Sequence, residues 1–263
     1  MLRRLPPLAL IAIPVALLAQ GALPPDAYEV ENARSGYLYM EPPTRALQDD
    51  TFLNPGQFIV DQGERLWSTP MGAAGQSCAS CHGDAATSMR GVAARYPVFD
   101  ADARQVVNLE TEINAMLTDH MGAEPFAYET PELLGLTAYV SAQSHGMPMN
   151  VDISGPAQAA FESGRDYFYA RRGQLDLSCA HCHEDNAGVK LRGDTLSQGQ
   201  INGFPIYRLL WDDVGSRHRM FEWCNTSLRA APEPAGSQAY QELELYLAWR
   251  GRGLPIETPA VRR

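Results

Sequence analysis

The hexapeptide SCAHCH, residues 178–183, and its near copy SCASCH, residues 77–82, decide how this chain is read. Each contains C-x-x-C-H, the spacing of c-type haem attachment. Two thiols three residues apart can form thioethers to the two vinyl groups along one edge of a porphyrin. The adjacent imidazole can then turn beneath the ring onto the iron. Cys78, Cys81 and His82 make the first set, and Cys179, Cys182 and His183 the second. Together they use four of only five cysteines in 263 residues. A disulfide framework belongs to smaller, cysteine-dense chains. A zinc site asks for a further ligand cluster, and a thioredoxin-like pair for a flanking βαβ pattern. None of these accounts for the repeated histidine. His181, inside the second motif, reads as filler between the attachment thiols.

Outward from the motifs, the two halves align. A shift of 101 places Gly63 on Gly164, Trp67 on Phe168, and Gly72 on Gly173. After a longer loop, YPVF (96–99) lies over FPIY (204–207) at a shift of 108. Pro125 meets Pro232 and Tyr139 meets Tyr246 at a shift of 107. The chain is therefore two copies of one haem-binding unit. Met116 stands 17 residues beyond Phe99, and Cys224 stands 17 beyond Tyr207. Thioether and thiolate both ligate haem iron, so the fifth cysteine falls where its sister unit keeps a candidate distal methionine. Met89, Met121, Met147 and His120 are further candidates for the first iron. A buried structural cysteine is the alternative for Cys224.

The remaining pattern is helical. NPGQFIVDQGERLW (54–67) opens on an Asn cap with Pro55 in its first turn. NLETEINAMLTDHM (108–121) carries apolar residues at helical spacing behind an acidic first turn. TPELLGLTAYVSAQSHG (130–146) and SQAYQELELYLAWRG (237–251) each run from a Thr or Ser cap to a glycine. No segment alternates as a strand should. The expectation is an all-α chain of two tandem cytochrome c-like domains, residues 55–150 and 151–263, behind an N-terminal extension over 23–54. NVDISGPA (150–157) is the linker.

MLRRLPPLALIAIPVALLAQGA (1–22) has two positive charges, an apolar run broken by Pro14, and small residues at its end. That is the pattern of a cleaved export signal, with an uncleaved anchor as the alternative; the interrupted run is short for a bilayer span. The mature chain is then expected to be soluble, periplasmic and without a membrane span. It keeps 31 acidic residues against 19 basic ones, a balance opposed to nucleic-acid binding. Twenty of the 21 basic side chains are arginine, suited to sulfur or phosphorus oxyanions and equally a product of base composition.

DLSCAHCHEDNAGVKLRGDTLSQGQINGFPIYRLLW (176–211), MFEWCNTSLRAAP (220–232) and LELYLAWRGRGLPIETPAVRR (243–263) resemble the SoxA family, and the likeness extends over the whole mature chain. The resemblance implies a dihaem c-type subunit of the SoxAX enzyme, an L-cysteine S-thiosulfotransferase that couples thiosulfate to a cysteine of the SoxYZ carrier. It implies a SoxX-type partner subunit and a soluble cytochrome c as acceptor. It also implies a cysteine ligand on the second haem, often a persulfide, at the position of Cys224. Two departures stand out. Dihaem relatives carry IN-x-C where this chain has INAM (113–116), so Met116 replaces that cysteine. A thioether does not offset ferric charge as a thiolate does, so the first haem is expected at a higher potential. The family's active-site arginine is expected four positions before the ligand cysteine, where Met220 stands between Arg217 and Arg219 on one side and Cys224 on the other.

Arg217 and Arg219 are therefore the candidate substrate cations, each with a solvated helix face as its alternative. Arg229 is a third, with a haem propionate as its alternative partner. Asp194 and Glu184 read as local hydrogen-bonding groups. The expected chemistry has thiosulfate joining Cys224 or its persulfide before transfer to the carrier, with electrons leaving through the haems. The rival functions are a thiosulfate dehydrogenase forming tetrathionate and a dihaem electron carrier without chemistry of its own.

Overall fold

Gly63 and Gly164 set the frame. A Cβ built on Gly63 would stand 1.9 Å from the Gly135 carbonyl oxygen, and one on Gly164 would stand 1.9 Å from that of Glu242. Two helix pairs therefore cross at backbone contact, at the two positions that the internal repeat superimposes. The computed structural model in which they do so describes residues 22–263. The export signal expected over 1–22 lies outside the described residues except for Ala22.

The described chain opens with a helical turn at Pro25–Tyr28, the paired strands β1 (Glu29–Val30) and β2 (Ala33–Arg34), and helix α1 (Pro42–Asp49). In the first unit, α2 (Gln57–Trp67) leads to the attachment turn α3 (Cys78–His82) and the short α4 (Ala85–Ser88). A hairpin of β3 (Val98–Asp100) and β4 (Gln105–Val107) follows, then α5 (Leu109–Met121) and α6 (Pro131–Ala142). The second unit repeats this order with α7 (Ala157–Tyr169) and the attachment turn α8 (Cys179–His183). Next come the hairpin of β5 (Lys190–Leu191) and β6 (Asp194–Thr195) and that of β7 (Ile206–Arg208) and β8 (Asp213–Gly215). Helices α9 (Arg217–Ser227) and α10 (Gln238–Arg250) and strand β9 (Ala260–Arg262) complete the chain. Helix α2 crosses α6, and α7 crosses α10.

The all-α expectation is corrected by these nine strands. Each is two or three residues long, too short for an apolar–polar alternation to register in the sequence. Strand β7 is central in its sheet, antiparallel to β8 and parallel to β9.

The helices that follow the two matched hairpins start on strong caps. The Asn108 side chain accepts from the Thr111 N–H at 3.0 Å, and Ser216 Oγ accepts from the His218 and Arg219 N–H groups at 3.1 and 3.2 Å. Asn54 does something other than the expected capping: its Oδ1 accepts from the Gly56 N–H and its Nδ2 donates to the Pro259 carbonyl. It fastens the turn before α2 to the chain's last segment.

That last segment ties the molecule together. The Val261 N–H donates to Gln48 of α1, while Ile256 exchanges backbone hydrogen bonds with Gly146 and Met147 of the first unit. Buried Glu257 accepts from Asn202 and Arg262 and from the Ser35 hydroxyl. The extension, both units and the C-terminal strand thus share one polar hub. The apolar core of the second unit gathers Phe168, Ile206, Phe221, Tyr240 and Leu243, with Cys179 at its margin. Trp67, Ala85, Leu109 and Val140 do the same in the first, with Cys78 and Ile113 packed against them.

Candidate functional site

Both attachment turns are set by capping boxes. Ser77 and Ser80 satisfy each other's backbone N–H groups ahead of α3. Ser178 and His181 do the same ahead of α8, which is the role of that extra histidine. One helical turn brings Cys78 and Cys81, and likewise Cys179 and Cys182, onto one side with the histidine next in line.

His183 is held more firmly than His82. Its Nδ1 lies 2.8 Å from the Ser197 carbonyl oxygen. A carbonyl can only accept, so Nδ1 carries the proton and Nε2 keeps its lone pair free for a metal. Burial lowers the His183 pKa, which favours the neutral ligand form. Gly199, at φ +71, presses on the ring; a Cβ there would stand 2.9 Å from His183 Cγ. His82 is exposed beside Trp67, whose indole N–H donates to the Gly83 carbonyl at 3.0 Å.

The loop before each motif is fastened to the helix expected to supply the distal ligand. In the second unit, the Gln174 and Leu175 N–H groups donate to the Arg229 and Leu228 carbonyls just beyond the end of α9. In the first, Ala73 and Ala74 donate to Gly122 and Met121 at the end of α5. Gly72 and Gly173, at φ +65 and +69, allow this approach, since a Cβ at either would meet a carbonyl oxygen at 2.1 or 2.2 Å.

Cys224 is half-buried on α9, and none of the five cysteines forms a disulfide with another. Burial pushes its thiol up to about 12; the adjacent Cys179 and Cys182 thiols push the same way, and Arg208 opposes them. The fifth cysteine therefore shares an environment with the second attachment pair, and a thiolate here needs a further positive charge. Met116 is half-buried on α5, one turn beyond Ile113, which packs with Cys78. Phe221 stands in the matching place before Cys224 and belongs to the cluster that Cys179 joins.

The arginine expectations are revised by these surroundings. Arg217 points into a buried cluster between the units, 3.4 Å from Glu244, which also lies 2.8 Å from His218 Nε2. Glu110 of the first unit is buried beside them, pushed up by burial and then by the Glu244 charge. Burial acts to raise Glu244 as well, but Arg217 and His218 outweigh it and leave that carboxyl below its ordinary value. Arg219 is tied to Asp213 at 3.1 Å and to the Val214 carbonyl at 3.0 Å, and lies over the Trp211 ring. The cation whose field reaches Cys224 is instead Arg208 on β7. It is paired with Asp194 at 3.6 Å, and Asp194 also holds Arg263, the local role expected of it. Glu184 likewise accepts from Tyr169 and Arg250.

Arg208 was missed because it stands 16 residues before Cys224, on a strand rather than the ligand helix. The repeat held a signal: at the shift of 108 that matches YPVF with FPIY, Arg208 falls on Asp100, a reversal of charge between otherwise similar hairpins.

The donor sets fit c-type haem. Among the described residues, no three His, Cys, Asp or Glu side chains converge as a closed zinc site requires. Beside the second motif, Arg172 Nη1 is buried without a hydrogen-bond partner, in a cleft lined also by Arg171, Arg229 and Tyr167. Nη2 of the same guanidinium donates to the Tyr167 carbonyl, and the free Nη1 in an arginine-lined cleft suits a propionate of a haem anchored at Cys179 and Cys182. Among the described residues, no helix is long and apolar enough to cross a membrane.

Comparisons with known proteins agree with this geometry. The family model described as SoxA/TsdA, cytochrome c domain, matches residues 62–149. The chain is 44% identical to the L-cysteine S-thiosulfotransferase subunit SoxA of Pseudaminobacter salicylatoxidans, over 92% of this chain and 85% of that protein. It is 42% identical to the SoxA subunit of Paracoccus pantotrophus, over 87% of this chain and 78% of that one. A chain of the crystal structure of SoxXA from P. pantotrophus superimposes with a TM-score of 0.84 at 42% identity, covering 88% of this chain and 87% of that chain.

Proposed function

The chain belongs to the SoxA family, and on that premise we propose that it is the dihaem c-type subunit of an L-cysteine S-thiosulfotransferase. The reaction joins the sulfane sulfur of thiosulfate to a cysteine of a SoxYZ-type carrier. The carrier thiol loses its proton, one S–S bond forms, and two electrons leave for a soluble cytochrome c. Cys78, Cys81 and His82, and Cys179, Cys182 and His183, would hold the two covalently bound haems, which supply one-electron acceptors for a two-electron coupling.

The chain's own residues account for the rest. Cys224 would supply the sulfur ligand to the second haem and would carry the substrate, as a thiolate or its persulfide. Its buried thiol resists ionisation, so it becomes a thiolate only where metal charge offsets the lost proton. Met116 would hold the first haem in the equivalent way. Ser197 keeps the His183 proton on Nδ1 and so aims Nε2 at the metal. A SoxX-type cytochrome is the partner subunit. The pairing of a basic, small-residue-terminated export signal with two haem-attachment motifs supports a periplasmic site of action.

The observation that carries this reading is the place of Cys224 on α9, the helix whose end is fastened to the loop ahead of Cys179 and Cys182, where the sister unit has Met116 on α5. The test is thiosulfate-dependent cytochrome c reduction by the complex with its partner subunit, with and without the carrier, for the native chain and Cys224→Met. Carrier-dependent turnover that disappears in the variant supports the reading. Tetrathionate formed without carrier points to a dehydrogenase instead, and full turnover by Cys224→Met removes the covalent role.

A further inference from the structure

Arg208 is a buried cation with few firm partners. It is 8% exposed, and its Nε donates to the Arg263 main-chain oxygen at 2.8 Å. Its terminal nitrogens are served poorly: Nη1 meets only the Met220 thioether at 3.8 Å, and Nη2 stands 3.6 Å from Asp194. Five N–H donors and a full positive charge are thus held out of water behind one ordinary hydrogen bond. A buried charge in that condition is costly unless an anion completes its shell.

The cage around it is specific. The guanidinium carbon lies 5.1 Å from the Trp211 ring centre and 4.9 Å from that of Trp223, and the two indoles meet edge to face at 6.2 Å. Arg219 covers Trp211 at 4.5 Å and braces the wall. Trp223 is the residue before Cys224, and Met220 lies one helical turn before it on the same face. Arg208 therefore runs along the Cys224 face of α9. Trp223 is 42% exposed, which leaves this side of the cage open to solvent.

We infer that Arg208, clamped between Trp211 and Trp223, receives the oxyanion end of the sulfur substrate and so turns its sulfane sulfur toward Cys224. The inference rests on the functional reading above and names the substrate-binding cation of that site. Fork geometry suits the sulfonate end of a tetrahedral sulfur oxyanion, because two N–H groups can meet two oxygens at once. Neutral thiols gain nothing from it, so the residue selects substrate rather than forming bonds.

The test uses the complex with its partner subunit and the variants Arg208→Gln, Arg208→Lys and Arg219→Gln. Steady-state kinetics give KM and kcat for thiosulfate, and titration with sulfate, a non-reacting sulfur oxyanion, gives an affinity from the haem absorption change. Arg208→Gln is expected to raise KM roughly 10- to 100-fold, the value of a charge-assisted hydrogen-bonding partner. Sulfate affinity should fall in parallel and the resting haem spectrum stay unchanged. Arg208→Lys keeps the buried charge, guarding against a folding defect, and should raise KM severalfold. Unchanged KM and sulfate affinity in Arg208→Gln, or the loss appearing in Arg219→Gln instead, would overturn the assignment. So would a resting spectrum altered without substrate, because Arg208 would then anchor a haem propionate. A native complex with no thiosulfate turnover contradicts the functional reading itself, and the sulfate titration then decides the role of Arg208 alone.

Discussion

His183 Nδ1 lies 2.8 Å from the carbonyl oxygen of Ser197, while Gly199, two residues further on, packs against the same imidazole ring. The pair fixes both tautomer and orientation of His183, the histidine of the second attachment motif. Gly91, at φ +74, is the equivalent of Gly199 at the shift of 108, but a Cβ there would meet Met147 rather than His82. The second unit is thus the more tightly preorganised of the two.

Gly199→Ala should disturb one haem and spare the other. The new Cβ would stand 2.9 Å from His183 Cγ, and the backbone already occupies the left-handed region at φ +71. The left-handed conformation alone costs a non-glycine residue about 1–2 kcal/mol. Electron paramagnetic resonance of the ferric protein is expected to show one of two low-spin signals shifted or lost. Thermal unfolding should report a lower Tm.

Glu110 should make stability fall as pH rises through the weakly acidic range. Burial, and then the Glu244 charge, push its carboxyl up to about 7. A carboxyl raised on folding binds its proton more tightly in the native state, so its contribution is fully present below the unfolded pKa, near ~4.3. That contribution is lost progressively as pH rises to the folded value and is absent above it. Glu110→Gln keeps the shape without the charge, so denaturant midpoints measured from pH 5 to 8 should decline less in the variant than in the native protein.

Arg217→Met should damage the fold and leave the haem ligands alone. Removing this guanidinium takes from buried Glu244, 3.4 Å away at 0% side-chain exposure, its one arginine partner and leaves it to His218 and Asn108. Breaking a buried pair in this way costs roughly 3–5 kcal/mol. The expected outcome is a lower denaturant midpoint with haem content, absorption spectrum and thiosulfate KM close to native. A large KM effect at native stability would return Arg217 to the substrate site.

What the sequence disclosed follows from the range of each interaction. The attachment motifs, the matching places of Met116 on α5 and Cys224 on α9, and the long helices are written in spacings of a few residues or in a repeat. Thr130 could be read as a helix start because caps act within one turn. The short strands were hidden, since Ile206, Tyr207 and Arg208 pair with residues over fifty positions away along β9. Asn54 was misassigned for the same reason, as its partner Pro259 is 205 residues distant. Arg217 and Arg219 were chosen for closeness in sequence to Cys224. Arg217 lies two turns of α9 before Cys224 and is taken by Glu244, Arg219 points to another side onto Asp213 and Trp211, and a strand brings Arg208 to the thiol instead.

The account depends on the sulfur of Cys224 being bound to the iron held by Cys179 and Cys182. Electron paramagnetic resonance of the ferric dihaem protein, native against Cys224→Ala, tests this most directly. The account predicts a low-spin signal with thiolate character that disappears in the variant while the signal of the other haem persists. Two unchanged signals in the variant would show that the second iron is capped by a different group and would contradict the account.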